Sequence, residues 1–154
     1  MSRNDDVVVG LDEGPAAADA LRWAAKQARM TGQALRVVHV WKLRSFGVVS
    51  VTDEYVEASR TDARARATRR VLQVLGSQAA RTRWTLDVID GLPGPVLVDR
   101  SSGAMLLVVG TRDHTGLRRA VLGSVSHYCL SHATCPVVAV PATSVAMKQA
   151  AHTG

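Results

Sequence analysis

The stretch that most limits the fold runs over residues 105–126, MLLVVGTRDHTGLRRAVLGSVS. Its apolar opening, Met105 to Val109, stops at Gly110. A polar loop follows, and Gly123-Ser124 then precede a segment with helical spacing. Strand, glycine turn and helix start, in that order, are how a parallel sheet builds an anion site. Glycine lets a ligand approach the backbone closely and takes up positive φ. The first N–H groups of a helix lack partners in the chain and carry the positive end of its dipole. A phosphate placed there satisfies both conditions. Ser124 adds a hydroxyl, read here as both a helix cap and a phosphate contact.

The rest of the chain alternates strand and helix. Residues 7–11, VVVGL, read as a first strand, broken by Asp12-Glu13-Gly14-Pro15. Pro15 suits the first turn of a helix, where its missing N–H costs nothing. Ala17, Leu21, Ala24, Ala25 and Ala28 then recur at helical spacing, and Gly32 is a C-cap candidate. Residues 35–41 form a second apolar strand, and residues 42–58 read as a long loop with some local structure. A helix is expected over 59–78, with Ala63, Ala67, Val71, Val74 and Leu75 inward and Arg66 and Arg69 outward. Trp84, Leu86 and Val88 alternate with polar residues, which predicts a half-exposed edge strand. A turn at 91–95 leads into a short helix over 96–102. The fourth strand is 105–109, Leu117 and Val121 suggest a helical turn within the following loop, and Val137–Val140 is a short last strand between two prolines. Aromatics make up only 4% of a chain that is 47% hydrophobic, so the core must be Val, Leu and Ala. That composition suits strands buried on both faces of a parallel sheet, with helices covering each side. One domain over 1–141 with a mobile tail over 142–154 is expected.

Other classes are thinly supported. The net charge of +6 suits an anionic ligand or simply reflects an Arg-rich composition. The arginines over 60–83 spread round a helix without interleaved aromatics, which argues against nucleic acid. No apolar run is long enough to cross a membrane, and the polar, acidic residues 1–6 do not open a signal peptide. A cytoplasmic protein is expected, with Cys129 and Cys135 as reduced, buried thiols. Neither cysteine has the companions of a zinc site. The phosphate-loop, dinucleotide and nucleophile-elbow motifs are absent, and nothing places Ser, His and Asp as a triad. No catalytic residue or metal ligand is assigned.

The spacing Gly110, Asp113, Gly123-Ser124 resembles the universal stress protein family, whose nucleotide-binding branch reads G-two-G-nine-G-Ser/Thr after the fourth strand. The resemblance extends to VVVGLDEGPAAADALRWA, ALRVVHVW and HATCPVVAV. It implies an open five-stranded parallel sheet of order 3-2-1-4-5, a Rossmann-like α/β fold with helices on both faces. The ends of the first and fourth strands would then line one crevice at the point where strand order reverses. It implies a site for ATP, or for AMP or another adenine nucleotide, with or without Mg²⁺. Gly10, Leu11 and Asp12 would lie at the nucleoside, and His39 and Val40 at the adenine edge. Val109, Gly110, Thr111, Arg112, Asp113, Gly123, Ser124 and Val125 would lie along the ribose and phosphates. It also implies a homodimer through Val137–Val140 and a regulatory role toward a protein client that the sequence does not name.

Three positions depart from the family pattern. Asp113 replaces a glycine, Glu13-Gly14 replaces Gly-Ser, and Met105 replaces an acid. A carboxylate about 4 Å from a phosphate costs roughly 4 kcal/mol per charge pair at an effective dielectric of 20. A bridging Mg²⁺, the nearby Arg112, Arg118 and Arg119, or a turn of Asp113 toward the loop's own N–H groups each offsets that cost. Two alternatives therefore stand beside nucleotide binding. One is a dimeric interaction protein that has lost the nucleotide. The other is a weak ATP hydrolase with Asp113 and His114 as metal ligand and base. Asp12 reads either as a ribose contact or as a helix cap. Gly10 reads either as room for a ligand or as room for helix packing. His39 reads as a core or backbone-positioning residue.

Overall fold

Five parallel strands form one sheet in the order β3-β2-β1-β4-β5 in the computed structural model, which describes residues 5–43, 50–111 and 122–142. The strands are β1 (Val7–Gly10), β2 (Leu35–Trp41), β3 (Trp84–Asp90), β4 (Leu106–Gly110) and β5 (Val137–Val140). The helices are α1 (Pro15–Thr31), α2 (Asp53–Leu75), α3 (Pro93–Arg100) and α4 (Ser124–His132). The expected α/β architecture and strand order are therefore present. β1 sits at the centre, paired to β2 from Val7↔Leu35 and to β4 from Val7↔Leu106. Val7, Val8 and Val9 are wholly buried, as a strand covered on both faces requires.

Alternation along the strands feeds two cores. Val7, Val9, Leu35, Val37 and Val108 face α1 and α2, where the buried alanines Ala17, Ala20, Ala24, Ala25 and Ala28 let α1 lie close on the sheet. Val8, Val38, Leu107 and Val109 face Leu97 of α3 and Cys129 of α4. Burying a side chain such as Leu21 or Leu107 contributes about 2 kcal/mol. Burial pushes the Cys129 thiol up to about 11, with nearby Cys135 adding to the effect. Cys129 is buried as expected, but Cys135, two residues before the edge strand β5, is only half-buried. β3 is the half-exposed edge that its alternation predicts.

Several boundaries differ from the sequence reading. α2 begins at Asp53, six residues earlier than expected. Thr52 caps it, its hydroxyl accepting from the Tyr55 N–H at 3.2 Å, and Asp53 and Glu54 face the positive end of the dipole. These first turns are exposed, so no apolar stripe marks them. At its other end α2 stops at Leu75, and Gly76–Arg81 form a 3₁₀ turn. α3 starts at Pro93 rather than at 96, with proline in its first turn. β1 ends one residue early at Gly10, and β4 is shifted by one residue, leaving Met105 outside it. Gly32 closes α1 in the left-handed region, as expected (φ 70°). The residues 112–121, with Arg112, Asp113, His114, Leu117, Arg118, Arg119 and Val121, lie outside the described residues, as do 44–49 and the tail from 143.

Candidate functional site

β1 pairs with β2 on one side and β4 on the other, so the carboxyl ends of β1 and β4 open a crevice at the sheet's switch point. Two connected hollows occupy it. One, of about 250 Å³, is lined by Gly14, Pro15, Ala16 and Ala17 at the start of α1 and by Gly123, Ser124, Val125 and Ser126 at the start of α4. Gly110, Thr111 and Asp12 complete it. The other, of about 90 Å³, is lined mainly by apolar groups: Leu11, Val38, Val40, Pro93, Leu97 and Val109, with Gly10. Asp12, Ala17, Gly110 and Val125 border both.

The larger hollow thus lies between two helix N-termini. Gly123 takes the cap position of α4 with extended backbone (φ −74°, ψ 172°), and no side chain caps the helix. The expectation that Ser124 caps the helix is corrected: Ser124 is the first helical residue and is exposed. The buried Ser126 instead donates its hydroxyl to the Gly123 carbonyl at 3.1 Å. α1 likewise starts without a side-chain cap, behind Gly14. Both dipoles therefore present their positive ends to the same space, with main-chain N–H groups left for a ligand.

The glycines act through space rather than through unusual dihedrals, and the expected positive φ is not found at Gly110 or Gly123. A Cβ on Gly110 would stand 2.7 Å from the carbonyl carbon of Ala16, so this glycine lets β4 meet the first turn of α1. A Cβ on Gly10 would stand 2.9 Å from Leu97 Cδ1, so this glycine makes room for α3 to pack while also bordering the apolar hollow.

Asp12 is not the cap of α1, because it lies two residues before Gly14. Its Oδ1 accepts from the Gly14 N–H at 2.7 Å and shapes the turn that leads into the helix. Oδ2 has no partner among the described residues. His39 and Val40 part company. Val40 lines the apolar hollow, whereas His39 points to the α1/α2 face and lines neither hollow of the crevice. Its Nδ1–H donates to the Leu11 carbonyl at 2.9 Å, which fixes the chain as it leaves β1. The main chain at Val40 is better placed. The Leu11 N–H donates to the Val38 carbonyl at 2.9 Å. In a parallel ladder alternate residues face the same neighbour, so the N–H and C=O of Val40 also point toward β1, past its end.

Of the expected site residues, Gly10, Leu11, Asp12, Val40, Val109, Gly110, Thr111, Gly123, Ser124 and Val125 meet at the crevice. Arg112 and Asp113 lie outside the described residues. Sequence reasoning missed the first turn of α1, Ser126 and Leu97. Pro15 marked that first turn as a helix start, and its position directly after a strand was the available signal. No three His, Cys, Asp or Glu side chains gather as a metal site among the described residues.

Fold and crevice together define a doubly wound α/β domain with a pocket at its switch point. The model of the universal stress protein family matches residues 3–141, and the chain belongs to that family. It is 31% identical over 143 residues to universal stress protein Rv2623 of Mycobacterium tuberculosis, covering 87% of this chain and 46% of that protein. The chain thus spans about half the length of the mycobacterial relatives it matches. It is 27% identical over 144 residues to universal stress protein YxiE of Bacillus subtilis, covering 87% of this chain and 97% of that one. Among solved structures, the universal stress protein from Archaeoglobus fulgidus in complex with dAMP is similar, with a TM-score of 0.60 and 23% identity. That match covers 91% of this chain and 99% of the other.

Proposed function

We propose that the crevice binds an adenine nucleotide and that occupancy serves as a regulatory signal. The observation that carries this reading is the meeting of two uncapped helix N-termini on one hollow, beside a smaller apolar one. Phosphate belongs between the starts of α1 and α4, where N–H groups and both dipoles favour an anion. The base belongs in the apolar hollow, against Leu97, Val38 and Val109. The main chain of Val40 presents a donor and an acceptor to its edge. Asp12 Oδ2 is the acceptor for a ribose hydroxyl. The dAMP complex of the Archaeoglobus relative supports the ligand class. Where Mg²⁺ accompanies the phosphates, Asp12 is the carboxylate lining this space among the described residues. Thr111 and Ser124 are hydroxyls beside it. The half-exposed β5 is the edge we assign to a second copy of the chain.

The test is direct. Nucleotide released from purified, denatured protein is identified by mass spectrometry, and AMP, cAMP and ATP with and without Mg²⁺ are titrated calorimetrically. An adenine nucleotide in the preparation, or saturable heat with any of the four, supports the reading. Neither result from folded protein overturns it. Light scattering on the same sample tests the dimer.

A further inference from the structure

A third cavity, of about 300 Å³, lies on the other side of the end of β1, between the loop after that strand and the flank of α2. We infer that it is a second ligand site, for a small phosphorylated polyol. Arg66, Arg69, Arg70 and Gln73 of α2 line it at i, i+3, i+4 and i+7, which places them along one side of the helix. Across from them stand Asp12, Glu13 and His39.

The two walls offer opposite chemistry. On the helix wall, Arg66 is answered by Asp62 at 3.1 Å, while Arg69 has no ion pair among the described residues. Arg70 uses Nη2 to hold the Gly14 carbonyl at 3.1 Å, which leaves its buried Nε–H without an acceptor. What the cavity meets is the exposed guanidinium of Arg69 beside that of Arg70, and an anionic oxygen is the partner that suits such a pair best. On the strand wall, His39 spends its Nδ1–H on the Leu11 carbonyl, which leaves Nε2 for a partner in the cavity. The Glu13 carboxylate on the same wall is an acceptor as well. Acceptors there suit hydroxyl groups and repel a second anion. The fitting molecule is therefore anionic at one end and hydroxylated at the other. The volume stands at the lower end of small-molecule sites.

This cavity is separate from the nucleotide crevice. It shares Leu11 and Asp12 with that crevice but none of the main-chain amides at the start of α4. The proposal is tested on the full chain labelled with ¹⁵N, by following backbone amides and arginine Nε–Hε signals. Ribose 5-phosphate, inorganic phosphate and ribose are titrated separately into the protein and into Arg69→Gln, an exposed substitution that spares the core. Ribose 5-phosphate is expected to shift the Arg70 Nε–Hε and the Asp12 and Glu13 amides saturably. Arg69→Gln, phosphate alone and ribose alone should each bind at least about tenfold more weakly. Three outcomes overturn the proposal: shifts confined to Gly110 and the 124–126 amides, inorganic phosphate binding as well as the sugar phosphate, or Arg69→Gln binding as well as the parent.

Discussion

On one face of the sheet, α1 and α2 lay 17 and 23 residues of helix over the strands; on the other, α3 and α4 supply 8 and 9. The long pair closes its face with alanines and leaves a cavity where arginines of α2 stand off the strand ends. The short pair packs fewer, larger side chains and leaves an apolar hollow beside Leu97. Long helices serve the core, and the apolar hollow is what short helices leave uncovered. Asp12, at the loop between the two faces, borders the cavities on both.

Leu97→Ala gives the sharpest break. Leu97 is 3% exposed, faces Gly10 and walls the hollow, so truncation is expected to cost about 2–5 kcal/mol by urea unfolding. A loss below that range would mean that α3 settles onto the sheet and that the hollow is not rigid.

Alkaline pH probes the same face through Cys129. Its thiol ionises near 9 when unfolded and at about 11 in the fold. Between those values the unfolded chain has released the proton while the folded one keeps it. Stability is therefore complete below pH 9 and falls as pH rises toward 11, by up to about 2–3 kcal/mol. Urea midpoints measured across that window, with Cys129→Ala as the variant lacking the slope, check this.

The α1 face is probed by Gly110→Ala. The new methyl would meet helix backbone, which cannot rotate away, and a loss of about 1–3 kcal/mol with weaker AMP binding is expected. Gly10→Ala meets only the end of the Leu97 side chain and should cost less. Equal losses would erase the distinction between a backbone wall and a side-chain wall. The smallest effect is expected from Thr52→Ala, which removes the cap of α2 at a cost of about 1 kcal/mol without altering AMP binding.

Much of this was legible in the sequence, for uneven reasons. The strands announced themselves because Val-rich runs broken by glycine and proline have few other uses. The strand order came from family resemblance, since nothing local ties residue 7 to residue 106. The start of α2 was hidden because its exposed turns carry no stripe, although Thr52-Asp53-Glu54 spelled a cap. The roles of the glycines were misread because a sequence shows that a Cβ is missing but not what would occupy its place. Gly110 is kept free by Ala16, a contact between residues far apart in the chain. The split between His39 and Val40 is the ordinary alternation of a strand, and it was available as soon as one residue's face was known.

The central position of β1 also governs how the molecule can be made. Within this domain β1 precedes both of its partners in the chain and has both of its edges inside the finished sheet. β2 arrives soon after, but the β4 partner of Val7 is about a hundred residues further on, so closing that pairing carries a large loop entropy. Until then a growing chain holds a half-sheet whose valine-rich rim is open to any other extended polypeptide. Synthesis of this protein therefore passes through an interval of vulnerability that ends only when residues 106–110 emerge.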